Sequence, residues 1–263
     1  MRMFGALWNY RGFILESVKR DFQSQYTNAL LGAVWTIIRP LAMIVVYTII
    51  FAQVMQAKLP GLGNAFSYSI YLCAGVLTWG FFTETLTKTQ NVFLEHANLL
   101  KKISFPRFCL PVIVVINAGV NFLIIFGLFT LFLILSGNFP GMVFIALLPL
   151  LLVQVAFSVG LGITLGVLNV FFRDIGQFFV VLLQFWFWLT PVVYPIGILP
   201  AAVRSIVENN PMTALIGSYQ RIFVEAQWPV WETLWPITLL SVVLCGIGLR
   251  LFRQHAGEMV DEL

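Results

Sequence analysis

The sequence predicts an all-α membrane protein with six transmembrane helices, an amphipathic helix at the membrane surface before them, and re-entrant helices between the fifth and sixth spans. Three observations lead there. Of 263 residues, 60% are hydrophobic and 10% charged, with a mean hydropathy of +0.92, whereas soluble domains carry roughly 25% charged residues. The apolar residues collect into runs of about the 20 residues that a helix needs to cross a hydrocarbon core of roughly 30 Å. The charges fall in the gaps between those runs, mostly on one side.

Residues 4–26 come before the first run. At about 100° per residue, Phe4, Trp8, Leu15, Val18, Phe22 and Tyr26 form one apolar stripe, with Arg2, Glu16, Ser17 and Arg20 mostly opposite and Lys19 at its edge. Such a helix lies in the membrane plane, as a simple anchor or as a contact surface for a cytoplasmic partner. The spans follow as Val34–Met55, Phe66–Leu86, Leu110–Ser136, Met142–Val170, Ile175–Pro191 and Leu234–Phe252. The fourth is long enough to be broken or tilted, and the fifth is short unless residues 192–199 extend it.

Orientation follows from the basic residues. Arg2, Arg11, Lys19, Arg20, Arg39, Lys88, Lys101, Lys102, Arg107, Arg173, Arg250 and Arg253 share one side, against Lys58, Arg204 and Arg221 on the other. The majority side is cytoplasmic and holds both termini. The chain thus divides into an interface segment (1–33), a membrane domain (34–253) and a cytoplasmic tail (254–263). No cleavable signal peptide is apparent, since the first residues carry arginines rather than an apolar core and a small-residue cleavage site.

Two connections stand out. From Thr87 to Arg107 the longest cytoplasmic segment mixes Lys101, Lys102 and Arg107 with Leu99, Leu100, Ile103 and Phe105, and Pro106 stops any helix at Phe105. Flanking positive charge explains the lysines; a docking element for another protein also explains exposed apolar residues. From Pro191 to Pro236, ends included, there are six prolines in a stretch too apolar for a solvated loop. Residues 196–199 and 213–219 read as short helices dipping back into the bilayer, where irregular backbone needs protein or a water-filled cavity to satisfy it. Surface helices held by Trp228, Trp231 and Trp235 are the alternative.

Chemistry-bearing residues are few. No lysine follows a glycine, so a P-loop is excluded, and ATP, if used, binds another chain. Cys73, Cys109 and Cys245 show no metal or disulfide spacing. The net charge of +4 reflects the cytoplasmic bias rather than nucleic-acid binding. Ser158, Gly162 and Gly166 make a small-residue face for close helix contact. Glu84, Asn117, Asn121, Gln154, Gln177 and Gln184 are intramembrane polar groups that serve as interhelical glue or line a path. Arg39, beside Pro40, can snorkel or meet a lipid phosphate. No chain of buried carboxylates suggests a proton relay. Phe178, Phe179, Phe185, Trp186, Phe187 and Trp188 crowd the fifth span, facing lipid or lining a path suited to the C–H faces of sugars.

These segments resemble a known family. Arg20-Asp-Phe with Tyr26, residues 31–40 (LGAVWTIIRP), residues 99–107 (LLKKISFPR), residues 169–175 (NVFFRDI), residues 190–195 (TPVVYP) and Asn210-Pro211 match, in order, ABC-2-type permeases that export bacterial surface polysaccharides such as O antigen, capsule or teichoic acid. The resemblance implies a homodimer in the bacterial inner membrane with two copies of an ATP-binding subunit, which carry the ATP and Mg; this chain binds no cofactor and is not itself an enzyme. It implies coupling to the ATPase through the N-terminal helix and Leu99, Leu100, Lys101, Lys102, Phe105, Arg107, Arg173 and Asp174. Arg20 and Arg39 are expected at the lipid pyrophosphate, Trp35, Tyr47, Phe51, Phe178, Phe185 and Trp186 along the channel, and Pro191, Tyr194 and Pro195 at the outer gate. A small-amphiphile efflux permease of the same fold is the alternative. A non-transporting scaffold would show no nucleotide coupling, and a membrane enzyme lacks an acid–base or metal cluster.

Overall fold

The computed structural model describes residues 8–24, 34–50, 66–102 and 109–262. Its elements are α1 (Arg11–Ser24), α2 (Trp35–Tyr47), α3 (Ser67–Glu95), α4 (Ala97–Lys102), α5 (Cys109–Leu135), α6 (Leu147–Phe171), α7 (Asp174–Trp188), α8 (Ala201–Glu208), α9 (Pro211–Glu225), α10 (Trp235–His255) and α11 (Glu258–Glu262). The described residues contain helices and turns but no strand. Among the described residues three helical segments have both the length and the hydropathy of a membrane span: Cys109–Leu135, Gly141–Phe171 and Trp231–His255. The protein is therefore a multi-pass membrane protein.

Among the described residues each expected span overlaps a helix, residues 51–55 of the first lying outside them, with informative differences. The fourth opens at Gly141, which sits at φ +65°, and changes from 3-10 geometry over Gly141–Ala146 to α-helix at Leu147. The second continues to Glu95, nine residues beyond the apolar run. Nothing between Thr87 and Glu95 breaks a helix, and Thr89, Gln90, Val92 and Phe93 are buried there. Helices α2 and α7, at 13 and 15 residues, span only about 20 and 22 Å at roughly 1.5 Å per residue.

Helix α6 is central, held between α10 and α3, while α3 also meets α5 and α9. Close approach depends on missing side chains. A Cβ at Gly162 would lie 2.7 Å from Thr89 Cβ, so the expected small-residue face of α6 receives α3. A second small-residue contact joins α6 to α10: a Cβ on Gly160 would meet Cys245 N at 2.7 Å, and one on Gly248 would meet Gly160 O at 3.1 Å. Gln154, fully buried, donates from Nε2 to Thr78 O at 2.8 Å and ties α6 to α3.

The buried apolar residues form two main clusters at opposite ends of α3. One contains Ile70, Phe82, Leu150, Val192, Met212, Ile216, Tyr219 and Phe223. The other contains Ile14, Val92, Phe93, Leu100, Leu110, Val167, Phe252 and Met259. Helix α1 turns Phe13, Ile14, Ser17 and Val18 inward, whereas Trp8 and Leu15 are exposed. The single apolar stripe is thus corrected to two faces, because α1 lies against α5 rather than floating freely in the interface.

Candidate functional site

Three places gather the residues that sequence reasoning singled out. The first is the irregular backbone after α7. Between Trp188 and Tyr194 every carbonyl accepts a hydrogen bond. Tyr194 OH donates to Trp188 O at 2.7 Å, Asn210 Nδ2 to Leu189 O at 3.2 Å, and Val192 N to Thr190 O at 2.7 Å. Pro191 O accepts from Tyr71 OH at 3.1 Å and from Gln220 Nε2 at 3.2 Å. Gln220 Nε2 also lies 3.3 Å from Val192 O, Tyr68 OH donates to Val193 O at 3.0 Å, and Tyr71 OH to Tyr194 O at 2.8 Å. Without a helix this backbone has few internal partners, and side chains of α3, α9 and its N-cap Asn210 supply most of the rest. A Cβ at Gly75 would stand 2.6 Å from Val192 O, so the loop lies directly against α3.

Asn210 organises the other flank. Its Oδ1 caps α9 by accepting from Met212 N at 3.1 Å and also receives Trp186 Nε1 at 2.9 Å. Trp186 is therefore turned inward, edge-on to Trp79, Phe82 and Phe157, whereas Phe178 and Phe185 are exposed. Expected channel residues thus divide: Trp35 is also exposed, Tyr47 is half-buried against the first cluster, and Phe51 lies outside the described residues. An open groove of about 460 Å³ between α3 and α7 is lined by Trp79, Thr83, Thr87, Val180, Leu183, Gln184, Phe187 and Trp188. Trp79 and Thr83 escaped sequence reasoning because they stand in an ordinary apolar span; only their i, i+4 spacing marked a shared face.

The second place is the opposite end of α3. Leu100 of α4, Ile14 of α1, Phe252 of α10 and Met259 of α11 meet in one cluster, with Phe93 stacked on Phe252 at 5.4 Å. Leu100 was expected to be exposed for docking; it is buried instead, because α4 folds back against α3 and α11. Lys101, Arg173 and Asp174 are exposed around this end. Phe105 and Arg107 lie outside the described residues, as do the side chains of Leu99 and Lys102. The turn carrying Arg173 and Asp174 is held by Asn169, whose Oδ1 accepts from Gly176 N at 2.9 Å and whose Nδ2 donates to Asn91 Oδ1 at 3.2 Å. Asp174 in the first turn of α7 also suits the positive end of the helix dipole.

The third feature is a polar ladder linking α1 to α3. Asn117 and Asn121 lie one turn apart on α5. Asn117 Nδ2 donates to Asp21 Oδ2 at 3.0 Å, and Asn121 Nδ2 to Glu84 Oε2 at 2.8 Å, while Glu84 Oε1 pairs with Lys88 at 2.6 Å. Beside it, Pro40, Met43, Val76, Leu77, Gly80, Phe81, Glu84, Phe122 and Ile125 line an apolar cleft of about 280 Å³. Arg20 is exposed, one residue before Asp21; the side chain of Arg39 lies outside the described residues.

The family model for the ABC-2 type transporter matches residues 14–224, from α1 to the end of α9. The chain belongs to the ABC-2 type transporter family. It is 29% identical over 265 residues to the O-antigen export system permease protein RfbA of Myxococcus xanthus, covering all of both chains. A protein of the same name from Klebsiella pneumoniae is 28% identical over 236 residues, covering 89% of this chain and 88% of the relative. The polysialic acid transport protein KpsM of Escherichia coli is 19% identical over 246 residues, covering 92% of each. The ABC-2 match contains the loop after α7, the groove, the Asn169 turn and the polar ladder.

Proposed function

We propose that this ABC-2 permease is the transmembrane half of an exporter for a lipid-linked surface polysaccharide, with O antigen as the substrate. It spans the bacterial inner membrane six times with both termini in the cytoplasm. It works as a homodimer with two copies of a separate ATP-binding subunit, on which ATP and Mg act. The full-length similarity to permeases named for O-antigen export supports the substrate class.

The observation that carries the mechanism is the placement of two built sites at opposite ends of α3. Tyr71 at the loop and Phe93 at the basic end are 22 residues apart, about 33 Å along the helix at roughly 1.5 Å per residue, close to the thickness of a hydrocarbon core. ATP-driven closure of the partner subunits pushes on α1, α4 and the Arg173–Asp174 turn, and the rigid α3 carries that motion to the loop around Pro191, Tyr194 and Pro195. Arg20 and Arg39 meet the lipid pyrophosphate, and the apolar cleft beside Pro40 takes an acyl chain. The glycan slides past Trp35, Tyr47, Phe51, Phe178 and Phe185 and along the α3–α7 groove, where weak ring contacts have no single register. Trp186 holds the gate through Asn210 instead of touching sugar.

Co-expression with the ATP-binding subunit and reconstitution in proteoliposomes tests the coupling. Lys101→Ala together with Arg173→Ala is expected to leave membrane insertion intact while lowering permease-stimulated ATP hydrolysis and export together. Wild-type values for both would remove this surface from the mechanism.

A further inference from the structure

At the outer side of the gate loop lies a cavity of about 470 Å³, within the size range of small-ligand sites. Its floor is one face of α9, Thr213, Gly217, Gln220, Arg221, Val224 and Glu225, and its wall is Tyr71, Pro191, Pro195, Ile196 and Gly197. Two buried polar atoms of lining residues have no hydrogen-bond partner, Thr213 Oγ1 and Arg221 Nε. The Arg221 guanidinium is held by its other end: Nη2 donates to Gln227 Oε1 at 2.8 Å, and Glu225 Oε2 stands 3.7 Å from Nε. Tyr71 OH and the Gln220 amide donors are engaged with the loop carbonyls. A buried donor and hydroxyl left open beside a roomy cavity call for a ligand or water to satisfy them. A Cβ at Gly217 would meet nothing within 4 Å, so the space is open at the middle of the α9 face rather than filled by a neighbouring helix.

We infer that this cavity is a binding site for a sugar residue, seated with its C–H face on Pro191, Pro195 and the Tyr71 ring and its hydroxyls on Thr213, Arg221 and Glu225. The combination is chemically selective. A guanidinium, a carboxylate and a hydroxyl supply both donors and acceptors in fixed positions, while the prolines and the phenol ring give flat apolar contact. A purely apolar ligand would leave the orphaned atoms unsatisfied, and a phosphate would be repelled by Glu225. Because Tyr71 and Gln220 also hold the loop carbonyls, an occupied cavity touches the gate itself, so a sugar held there reports to the loop that the chain is still passing.

The assignment rests on the polysaccharide-export reading, and the test separates the two. The probe is the oligosaccharide released by mild acid from the surface glycan of the source bacterium. Ligand-observed NMR on the detergent-purified protein should show saturation transfer to this probe, lost in Gly217→Trp, which fills the cavity where no atom stands in the way. Thr213→Val and Arg221→Gln, which keep size and shape, should weaken it and keep the question answerable if the tryptophan variant does not fold. In cells lacking the native gene, Gly217→Trp at wild-type protein level should lose most surface glycan. Equal transfer in wild type and all three variants, or none in wild type, would overturn the site. Full surface glycan with Gly217→Trp, where gene deletion abolishes it, would overturn the site and keep the export function. Normal surface glycan in the deletion strain would instead overturn the function.

Discussion

Asn169 and Tyr71 each fix a stretch of backbone that the chain could not fix locally. Asn169 gives the only side-chain bond described for Gly176 N and reaches across to Asn91. A Cβ at Gly176 would lie 2.8 Å from Asn169 Oδ1, so the two residues fit as a pair. The bond is partly buried, and a typical hydrogen bond contributes about 0.5–1.5 kcal/mol; Asn169→Ala should lower the melting temperature in detergent, and an unchanged melt would show that the bond contributes nothing. Tyr71→Phe removes one hydroxyl from two carbonyls and should make a cysteine placed at Val193 react faster with a water-soluble maleimide. An unchanged labelling rate would mean that the loop does not depend on Tyr71. Ala226 closes α9 at φ 50°, a conformation that costs a side-chain-bearing residue about 1–2 kcal/mol. Ala226→Gly should therefore raise thermal stability, as a denaturation series would reveal. Asn169 was visible in the sequence as part of a motif, but its partner Asn91 was not, since 78 residues separate them.

Among the elements, α1 was legible as an amphipathic helix but not in its orientation. Periodicity finds apolar positions; it cannot tell which of them meets α5 and which faces outward, and Asp21, a charge, turned out to belong to the inner face through Asn117. The same limit applies to α4, where Leu100 looked available and is covered by the protein's own α3 and α11. The sequence marks residues 213–219 as a short helix; α9 is longer, Pro211–Glu225, and buries Met212, Leu215, Ile216, Tyr219, Ile222 and Phe223 in the core. The glycine contact of α6 with α3 followed from spacing alone, whereas its contact with α10 needed Gly160 and Gly248 to be brought together by the fold. Gly162→Val should force α3 and α6 apart at a cost of about 1–3 kcal/mol, seen as a lower melting temperature. If the polar ladder transmits motion between α1 and α3, Asn117→Leu and Asn121→Leu should each lower export without lowering the amount of protein in the membrane. Unchanged export in both would leave the ladder a structural tie.

At the scale of the whole molecule, the bilayer is the solvent that made the architecture readable. A chain with 10% charged residues exposes Leu123, Leu131, Leu152 and Val242, a distribution that water would penalise and lipid accepts. The basic residues Arg11, Lys101, Arg173, Arg250 and Arg253 surround the cluster at one end of α3, and Trp228, Trp231 and Trp235 are exposed in and beside the connection that follows α9. The proposed function puts the loop after α7 and the basic end of α3 on opposite faces of a membrane, as outer gate and coupling surface, and that is its central claim. Deleting the gene and locating the lipid-linked surface glycan tests it most directly. The account predicts glycan accumulating on the inner side of the cytoplasmic membrane, lost from the cell surface and restored by the wild-type gene. Normal amounts of glycan at the surface of the deletion strain would contradict it.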